Sequence, residues 1–198
     1  MLTLTRTPIN RHFQRRTTLP AESEFFWKIE AGIVRTMTWT DMGELIVLGI
    51  WGKGDIVGSS LSTIEPYEIE CLTKTTVQPI PVSQLVNMTA EMLQHLRHNE
   101  EFIKIVHNRN IELSIVKLLN WLASRFGQAV EGGHLIELLL THQEISEIVG
   151  TSRVTTTRIV GSLVERGIIQ RHQRHFIISL VGAASLKENR APFWHYEI

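Results

Sequence analysis

Residues 141–160 read THQEISEIVGTSRVTTTRIV, and this stretch decides the fold of the C-terminal part of the chain. Thr141 and Glu144 have the spacing of a capping box, which marks the start of a helix. Gly150 supplies a turn, and a second helix is expected over residues 152–164. The spacing predicts a helix-turn-helix.

The second of these helices combines a core-facing side with a polar side. Its predicted inner face is Thr156, Ile159, Val160 and Leu163. Arginine pairs with guanine edges in the major groove of DNA, and the methyl groups of threonine and valine contact the thymine methyl. Contacts with DNA bases are therefore predicted for the outward residues Arg153, Val154, Thr157 and Arg158.

The chain is neutral as a whole, with twenty basic and twenty acidic side chains, but its charge is unevenly distributed. Between Ile148 and Ile178 there are five arginines and one glutamate. A basic surface of this kind is typical of phosphate binding. The segment IIQRHQRHFIISL (168–180) predicts two short strands that turn at Gln173-Arg174, which would form a wing beside the helices.

These stretches resemble the Crp/Fnr (catabolite-activator) superfamily of bacterial transcription regulators. TSRVTTTR (151–158) is most similar to the cyanobacterial nitrogen-control branch of that superfamily. The resemblance implies a homodimer that binds double-stranded DNA, with a GTA-like half-site, and that contacts RNA polymerase through the loop 127–134. It also implies contacts with the DNA backbone from Thr141, Gln143, Ser152, Thr155, His172 and Arg174.

Two residues depart from the pattern of the catabolite activator. Val154 stands where that activator has a glutamate that accepts from cytosine, so the activator's own operator is not expected to be preferred. Thr156 stands where these regulators usually bury a valine. We expect its hydroxyl to bond back to the preceding helical turn.

Short runs of β-branched and aromatic residues separated by glycines fill the first part of the chain, as in FFWKIEAGIVRTMTW (25–39). They predict an antiparallel β-roll, similar to a cyclic-nucleotide-binding domain, over residues 1–84. A dimerisation helix and hinge are assigned to residues 85–127. The winged helix and a C-terminal tail are assigned to residues 128–198, and the fold class is α+β.

Apolar residues and asparagines recur at alternating steps of four and three after residue 91. They are Met92, Leu96, Asn99, Ile103, Val106, Asn110 and Leu113. This repeat is typical of a helix packed along a parallel partner, and buried asparagines fix the register of such a pair. The alternative is a single amphipathic helix lying on its own domain.

The region expected to hold an effector lacks a cation. In cyclic-nucleotide readers of the superfamily, an arginine accompanies the turn that holds the phosphate. Here the turn Gly58, Ser59, Ser60 and Leu61 is kept, but no arginine or lysine occurs between Lys53 and Lys74. A buried phosphate without a cationic partner is costly, so cyclic AMP binding is not expected. A 2-oxoglutarate pocket that uses His95 and Arg97 is the next possibility.

Other classes of function have weaker support. No metal site is predicted, because the histidine pairs lack further ligands at metal spacing. A cupin-like enzyme would need several histidines in the strands, whereas residues 1–94 contain only His12. A winged-helix adaptor that binds protein, with weak and non-specific DNA binding, stays as the alternative to a DNA-binding regulator.

The remaining expectations concern location and the tail. The chain has neither a secretory signal nor an apolar run long enough to span a bilayer, which predicts a cytoplasmic protein without membrane contact. The lone cysteine, Cys71, is expected in the core. Phe193, Trp194 and Tyr196 predict that the tail docks on a neighbouring surface.

Overall fold

The computed structural model describes residues 9–179, which fall into two compact units with a boundary between Lys104 and Ile105. The three aromatic residues of the C-terminal tail lie outside the described residues. The division into segments 1–84, 85–127 and 128–198 stays a prediction. No helix within residues 9–179 is long and apolar enough to cross a membrane.

The N-terminal unit contains a β-roll built from two antiparallel sheets. Its strands are β1 (Arg11–Phe13), β2 (Phe25–Ala31), β3 (Val34–Trp39), β4 (Leu45–Trp51), β5 (Ile56–Val57), β6 (Glu68–Cys71) and β7 (Thr75–Pro81). One sheet has the order β1-β7-β2-β5, and the other has the order β4-β3-β6. The apolar core of the roll includes Trp27, Trp51 and Cys71, all buried. The predicted antiparallel roll is confirmed.

Gly32 is required for the turn between β2 and β3. Its φ angle is 90°, in the left-handed region that favours glycine. A Cβ atom at this position would also lie 2.4 Å from the carbonyl oxygen of Lys74. The tight passage from one sheet to the other therefore depends on the absence of a side chain.

Helix α1 (Thr89–Val106) follows the roll and packs its first half against the strands. The His95 ring stacks on Trp51, with 4.1 Å between ring centroids and 1° between ring planes. His95 Nδ1 lies 3.1 Å from the carbonyl oxygen of Ile56, to which it donates. A charged residue on each side also joins the helix to the roll, because Lys28 Nζ lies 3.0 Å from Glu91 Oε1.

The buried carboxylate of Asp55 is a second anchor for α1. Its oxygens accept from the backbone N–H of Gly52 at 2.8 Å and from the Gln94 amide at 2.9 Å. His98 Nδ1 lies 3.1 Å from the same carboxylate. A buried carboxylate is tolerated only when hydrogen bonds replace its hydration, and two of these three partners belong to α1.

The predicted seam of α1 needs correction at both ends. Met92 packs against the buried residues Phe26, Ile56 and Ile80 of the roll, so at this end the helix lies on its own domain. The helix also stops at Val106 and does not run through residue 113. Between these ends, the apolar side chains of Leu96 and Ile103 are about half exposed (54% and 51%) and could pack against a partner helix.

Two asparagines explain the interruption after Val106. The Asn108 side chain accepts from the backbone N–H of Asn110 at 3.0 Å. The Asn110 side chain in turn accepts from the backbone N–H of Leu113 at 3.1 Å and caps the next helix. Side chains that bind nearby backbone groups compete with continued helix, so Asn110 begins a helix and is not part of a seam.

The C-terminal unit contains helices packed against one four-stranded sheet. Its elements are α2 (Ile111–Phe126), β8 (Gly127–Val130), β9 (Gly133–Ile136), α3 (His142–Val149), α4 (Arg153–Glu165), β10 (Ile169–His172) and β11 (His175–Ser179). The strand order is β10-β11-β9-β8, with antiparallel neighbours. Leu118, Leu119 and Leu122 of α2 are fully buried in this unit.

The segment 127–134, which was expected to be a loop, instead contains the hairpin β8–β9. A Cβ atom on Gly127 would lie 2.3 Å from the carbonyl oxygen of Ala123, and one on Gly133 would lie 2.0 Å from that of Ile178. These glycines therefore allow close backbone approach. At Gly132, which forms the turn with Glu131, nothing lies within 4 Å of an added Cβ atom.

Acidification is expected to destabilise the protein through His95. Burial lowers the pKa of His95 below its ordinary value of 6.5. The unfolded chain therefore takes up a proton at a pH where the folded protein does not, and stability is lost as the pH falls below about 6.5. His95→Phe keeps a ring on Trp51 but cannot titrate. Its free energy of unfolding in urea should fall less than that of the parent between about pH 7.5 and 5.5.

The control is His107→Phe, which removes an exposed histidine just after α1. This variant should keep the parental dependence on pH. Equal losses of stability in His95→Phe and the parent would contradict the assigned role of His95.

Candidate nucleic-acid interface

Helix α3 begins and ends as its sequence predicts. The Thr141 hydroxyl accepts from the backbone N–H of Glu144 at 3.1 Å, and the Glu144 carboxylate accepts from the backbone N–H of Thr141 at 2.7 Å. This capping box satisfies two helix-end donors. Gly150 ends the helix with φ 68° and ψ 48°, the left-handed geometry that favours glycine.

Helix α4 packs against α3, and both helices bury a small polar side chain. Ser146 of α3 and Thr156 of α4 are buried, and Ser152 caps α4 by accepting from the backbone N–H of Thr155 at 3.1 Å. The predicted inner face of α4, which is Thr156, Ile159, Val160 and Leu163, is buried. The predicted helix-turn-helix is confirmed.

The Thr156 hydroxyl does not make the expected bond to the preceding turn. Among the described residues its buried oxygen has no hydrogen-bond partner. The threonine therefore fills the space of a valine at the cost of an unsatisfied polar group.

The residues predicted to contact bases lie on the outward side of α4. Arg153, Thr157 and Arg158 are exposed, and Val154 is 79% exposed although it is apolar. Within residues 9–179, no hydrogen bond or ion pair engages the guanidinium groups of Arg153 and Arg158. These groups are free to form bidentate contacts with base edges.

The wing follows α4 as a two-stranded ribbon. Strands β10 and β11 pair from Ile169↔Ile178 to His172↔His175, and the turn between them contains Gln173 with φ 56°. His172 and Arg174 are exposed at this end of the ribbon. The predicted wing is confirmed, and the basic residues expected to contact phosphate lie at its tip.

The residues predicted to contact the DNA backbone from α3 and the turn are exposed or half-buried. Thr141 and Gln143 lie in the first turn of α3, where the Gln143 amide donates to Glu147 at 3.0 Å. Ser152 and Thr155 lie in the first turn of α4, and their hydroxyls are 2.9 Å apart. Helix N-termini present free N–H groups and favour anions, so both positions suit phosphate contacts.

The five arginines of this region have different partners. Arg166 pairs with Glu112 of α2. Arg171 donates to the ring of His142 at 2.5 Å and lies over the ring of Phe176, 5.6 Å from its centroid. Arg153, Arg158 and Arg174 are the remaining three. The net positive charge counted along the sequence therefore concentrates on the outward face of α4 and the tip of the wing.

Three comparisons with known proteins agree with this geometry. The Crp-like helix-turn-helix domain family matches residues 115–188. Regulatory protein CysR of Synechococcus elongatus is 41% identical over 168 residues, which cover 83% of this chain and 81% of the relative.

The chain belongs to the Crp/Fnr superfamily of transcription regulators. The Global nitrogen regulator of Nostoc sp. is 27% identical over 192 residues, covering 86% of this chain and 85% of that one. A CRP-family transcriptional regulator from Thermus thermophilus has the same fold, with a TM-score of 0.76 at 20% identity over 91% of this chain and 97% of its own.

The turn that carries a phosphate in cyclic-nucleotide readers of the superfamily borders a small cavity in the roll. Ser59–Leu61 form a 3₁₀ turn after Gly58, and the Ser60 hydroxyl donates to the carbonyl oxygen of Phe25 at 3.1 Å. The cavity beside Ser59 has a volume of about 200 Å³. Its lining residues are Thr18, Leu19, Ala21, Ser59, Tyr67, Glu68 and Ile69.

The structure does not bring His95 and Arg97 to this cavity, so the predicted effector pocket is corrected. Neither residue lines it, because the His95 ring is held between Trp51 and the backbone of Ile56. Arg97 is exposed on α1.

Among residues 9–179, no arginine or lysine lines the cavity. Glu68 is the only charged residue of this part of the chain that does. Arg35, which is buried in the roll, lies 2.6 Å from Glu70 on the neighbouring strand and is neutralised by it. Burial raises the pKa of Tyr67 to about 12, so its hydroxyl stays protonated at neutral pH.

The other reactive side chains of the described residues have structural surroundings. No group of three or more histidines, cysteines, aspartates or glutamates within residues 9–179 has a geometry that could hold a metal ion. Cys71 is fully buried in the core of the roll, and burial raises the pKa of its thiol. Its expected place in the core is confirmed.

Replacing Thr156 with valine is expected to stabilise the C-terminal unit. The change removes an unsatisfied buried hydroxyl and keeps the shape of the side chain, so the free energy of unfolding should rise by about 1 kcal/mol. Thr156→Ser is the matched control, because it keeps the hydroxyl and removes the methyl. It should lower the free energy of unfolding by about 1 kcal/mol. Urea denaturation of the two variants tests both signs, and a valine variant no more stable than the parent would contradict the assignment.

Proposed function

We propose that this Crp/Fnr regulator is a homodimer that recognises an inverted-repeat operator, with α4 of each subunit in the major groove. The observation that carries the proposal is the outward face of α4. There Arg153 and Arg158 have no partner among the described residues, and Val154 is exposed in spite of its apolar side chain. A solvated structural helix has no need for this combination, whereas a surface that contacts base edges uses both residue types.

The operator follows from the position of these side chains. Arg153 is the first residue of α4 and is placed for a bidentate contact with guanine, and Val154 is placed for a contact with a thymine methyl. By similarity to the nitrogen-control branch, a GTA-like half-site is proposed. Two symmetric copies of α4 require half-sites about one helical turn, or roughly 34 Å, apart.

Dimerisation is proposed through the second half of α1. Leu96 and Ile103 are seven residues apart and about half exposed, which is the spacing of equivalent positions along a parallel helix pair. Asn99 lies between them on the same repeat and would fix the register by pairing with its symmetry mate.

The roll is proposed not to bind cyclic AMP. The cavity beside Ser59 is smaller than the roughly 300–1,000 Å³ that is typical of ligand pockets. Glu68, the one charged residue among the described residues that line it, would repel a phosphate. The same argument applies to the two carboxylates of 2-oxoglutarate at this cavity, so regulation by either anion is not part of the proposal.

Contact with RNA polymerase is proposed at the turn of the hairpin β8–β9. Glu131 and Gly132 form its tip, and nothing lies within 4 Å of a Cβ atom built on Gly132. The tip is therefore available to a partner, whereas the glycines beside it are committed to the fold. Such a regulator acts in the cytoplasm, and no enzymatic activity is proposed.

The alternative is a winged-helix adaptor that binds protein and has only weak, non-specific affinity for DNA. It would have no need for exposed guanidinium groups at the start of α4. It would also give no preferred sequence when a library of random duplexes is offered.

The proposal is tested by comparing Arg153→Ala with Arg174→Ala. A preferred duplex is first selected from a random library with the parent protein, and affinities are then measured by fluorescence anisotropy at several salt concentrations. Loss of Arg153 should cost about 1–3 kcal/mol per half-site and relax the preference at one guanine. Loss of Arg174 should weaken all sequences alike and lower the salt slope by about one unit per subunit.

The two variants serve as controls for each other, because each removes one arginine from the same surface. If Arg153→Ala kept the parental ratio of operator to random affinity, α4 would not contact bases, and the adaptor would be favoured.

The proposed dimer is tested by Ile103→Asp. Two like charges would face each other in a desolvated interface, at a cost of several kcal/mol per dimer. Sedimentation should then show monomers at concentrations where the parent is dimeric. Arg97→Asp, an exposed position on the same helix, should stay dimeric. An unchanged dimer in Ile103→Asp would show that the interface lies elsewhere.

A further inference from the structure

A continuous chain of hydrogen bonds joins the wing to the base-contacting side of α4 through His142. Arg171 of β10 lies 2.5 Å from His142 Nε2, and His142 Nδ1 lies 2.9 Å from the Thr157 hydroxyl. The Thr157 hydroxyl donates to the carbonyl oxygen of Arg153 at 2.9 Å. His142, the first residue of α3, is therefore the link between the wing and α4.

The direction of every bond in this chain is fixed by chemistry. Arginine can only donate, so His142 Nε2 accepts and carries no proton. In a neutral ring the proton is then on Nδ1, which donates to the Thr157 oxygen. The Thr157 hydrogen is given to the carbonyl of Arg153, as a carbonyl can only accept. The arrangement therefore exists only with a neutral His142.

These hydrogen bonds use both the donor and an acceptor site of the Thr157 hydroxyl. That oxygen faces α3 and the backbone of its own helix, so the methyl group is the part of the exposed side chain that remains for DNA. A methyl group contacts the thymine methyl, whereas a free hydroxyl can bond to several bases. Orientation of Thr157 therefore decides which bases this position accepts.

We propose that His142 is a positioning residue for base recognition. Its neutral ring holds the Thr157 hydroxyl away from DNA, so that Thr157 selects thymine through its methyl group, and it ties Arg171 of the wing to α3. This inference rests on the proposed function, because it assigns the way in which one position of the operator is recognised.

Protonation of His142 would break its hydrogen bond with Arg171. The charged groups that face His142 are Arg171 from β10 and Arg153 from α4. A protonated ring cannot accept from Arg171 and would add a third cation beside the two arginines. Burial first, and then these two arginines, lower the pKa of His142 below 6.5, so the neutral form prevails at neutral pH. The thymine preference should therefore be present at neutral pH and lost on acidification below that pKa.

Uracil provides the probe, because it differs from thymine only by the absence of the C5 methyl. The probe duplexes are the selected duplex and a series in which one thymine of each half-site is replaced by uracil. All carry the same charge, so the ratio of the two affinities cancels the phosphate contribution at each pH. One buried methyl corresponds to about fourfold in affinity per half-site.

Variants of Thr157 identify the position in question. Thr157→Ser, which keeps the hydroxyl and loses the methyl, should abolish the uracil penalty at one thymine. Thr157→Val, which keeps a methyl and loses the hydroxyl, should retain it. If no position responded to Thr157→Ser, or if Thr157→Val lost the preference as well, the methyl would not be the recognising group and the proposal would fail.

Variants of His142 test the positioning role. At about pH 7.5, His142→Phe should reduce the penalty at that thymine from about fourfold toward none. His142→Gln can accept from Arg171 and donate to Thr157 without titrating, so it should keep the penalty and show no change down to about pH 5. The parent should lose the penalty as the pH falls below the pKa of His142. A parental penalty in His142→Phe, or a parental pH profile in His142→Gln, would overturn the proposal.

A measurement without DNA separates this inference from the proposed function. In the full-length protein labelled with ¹⁵N-histidine, His142 should show a protonated Nδ1 and an unprotonated Nε2 at about pH 7.5. The His142→Gln spectrum assigns the signal. A protonated Nε2 would overturn the positioning role even if the protein selects an operator. Failure to select any preferred duplex would instead contradict the proposed function, and the role in recognition would fall with it.

Discussion

The packing of α3 against α4 is the constraint on which the DNA-facing surface depends. Ser146 and Thr156 are buried, and Gly150 makes the left-handed turn that joins the helices. A helix with 3.6 residues per turn cannot place one face inward without fixing the direction of the other. Burial of Thr156 and Ile159 therefore directs Val154 and Arg158 outward.

The sequence was sufficient for those parts of the C-terminal unit that are stabilised locally. The capping box of Thr141 and Glu144 spans four residues, and the wing turns within a few residues at Gln173. Their signals lie in single short stretches, so they could be recognised without knowing the tertiary structure. The strands of the roll were predicted for the same reason, because glycines mark their ends.

The sequence alone did not predict where α1 ends, because a local capping signal interrupts a longer apolar repeat. The repeat from Met92 to Leu113 favoured one continuous helix, but the side chains of Asn108 and Asn110 bind backbone N–H groups and end it. A repeat of apolar residues also cannot tell which partner covers it. Met92 is covered by the roll, a fact that only the tertiary structure supplies. The link through His142 was missed because it joins residues 29 positions apart in the chain.

The approach of β9 to β11 has a consequence for how the family can vary. The position of Gly133 leaves no room for a Cβ atom against the carbonyl of Ile178, so every other amino acid would push the hairpin strand away from the wing strand. A change at Glu131 does not involve this close approach, whereas Gly132 has a φ angle of 85° and any other residue there would be strained. The side chain at the hairpin tip can therefore change at Glu131 without moving the sheet that carries the wing.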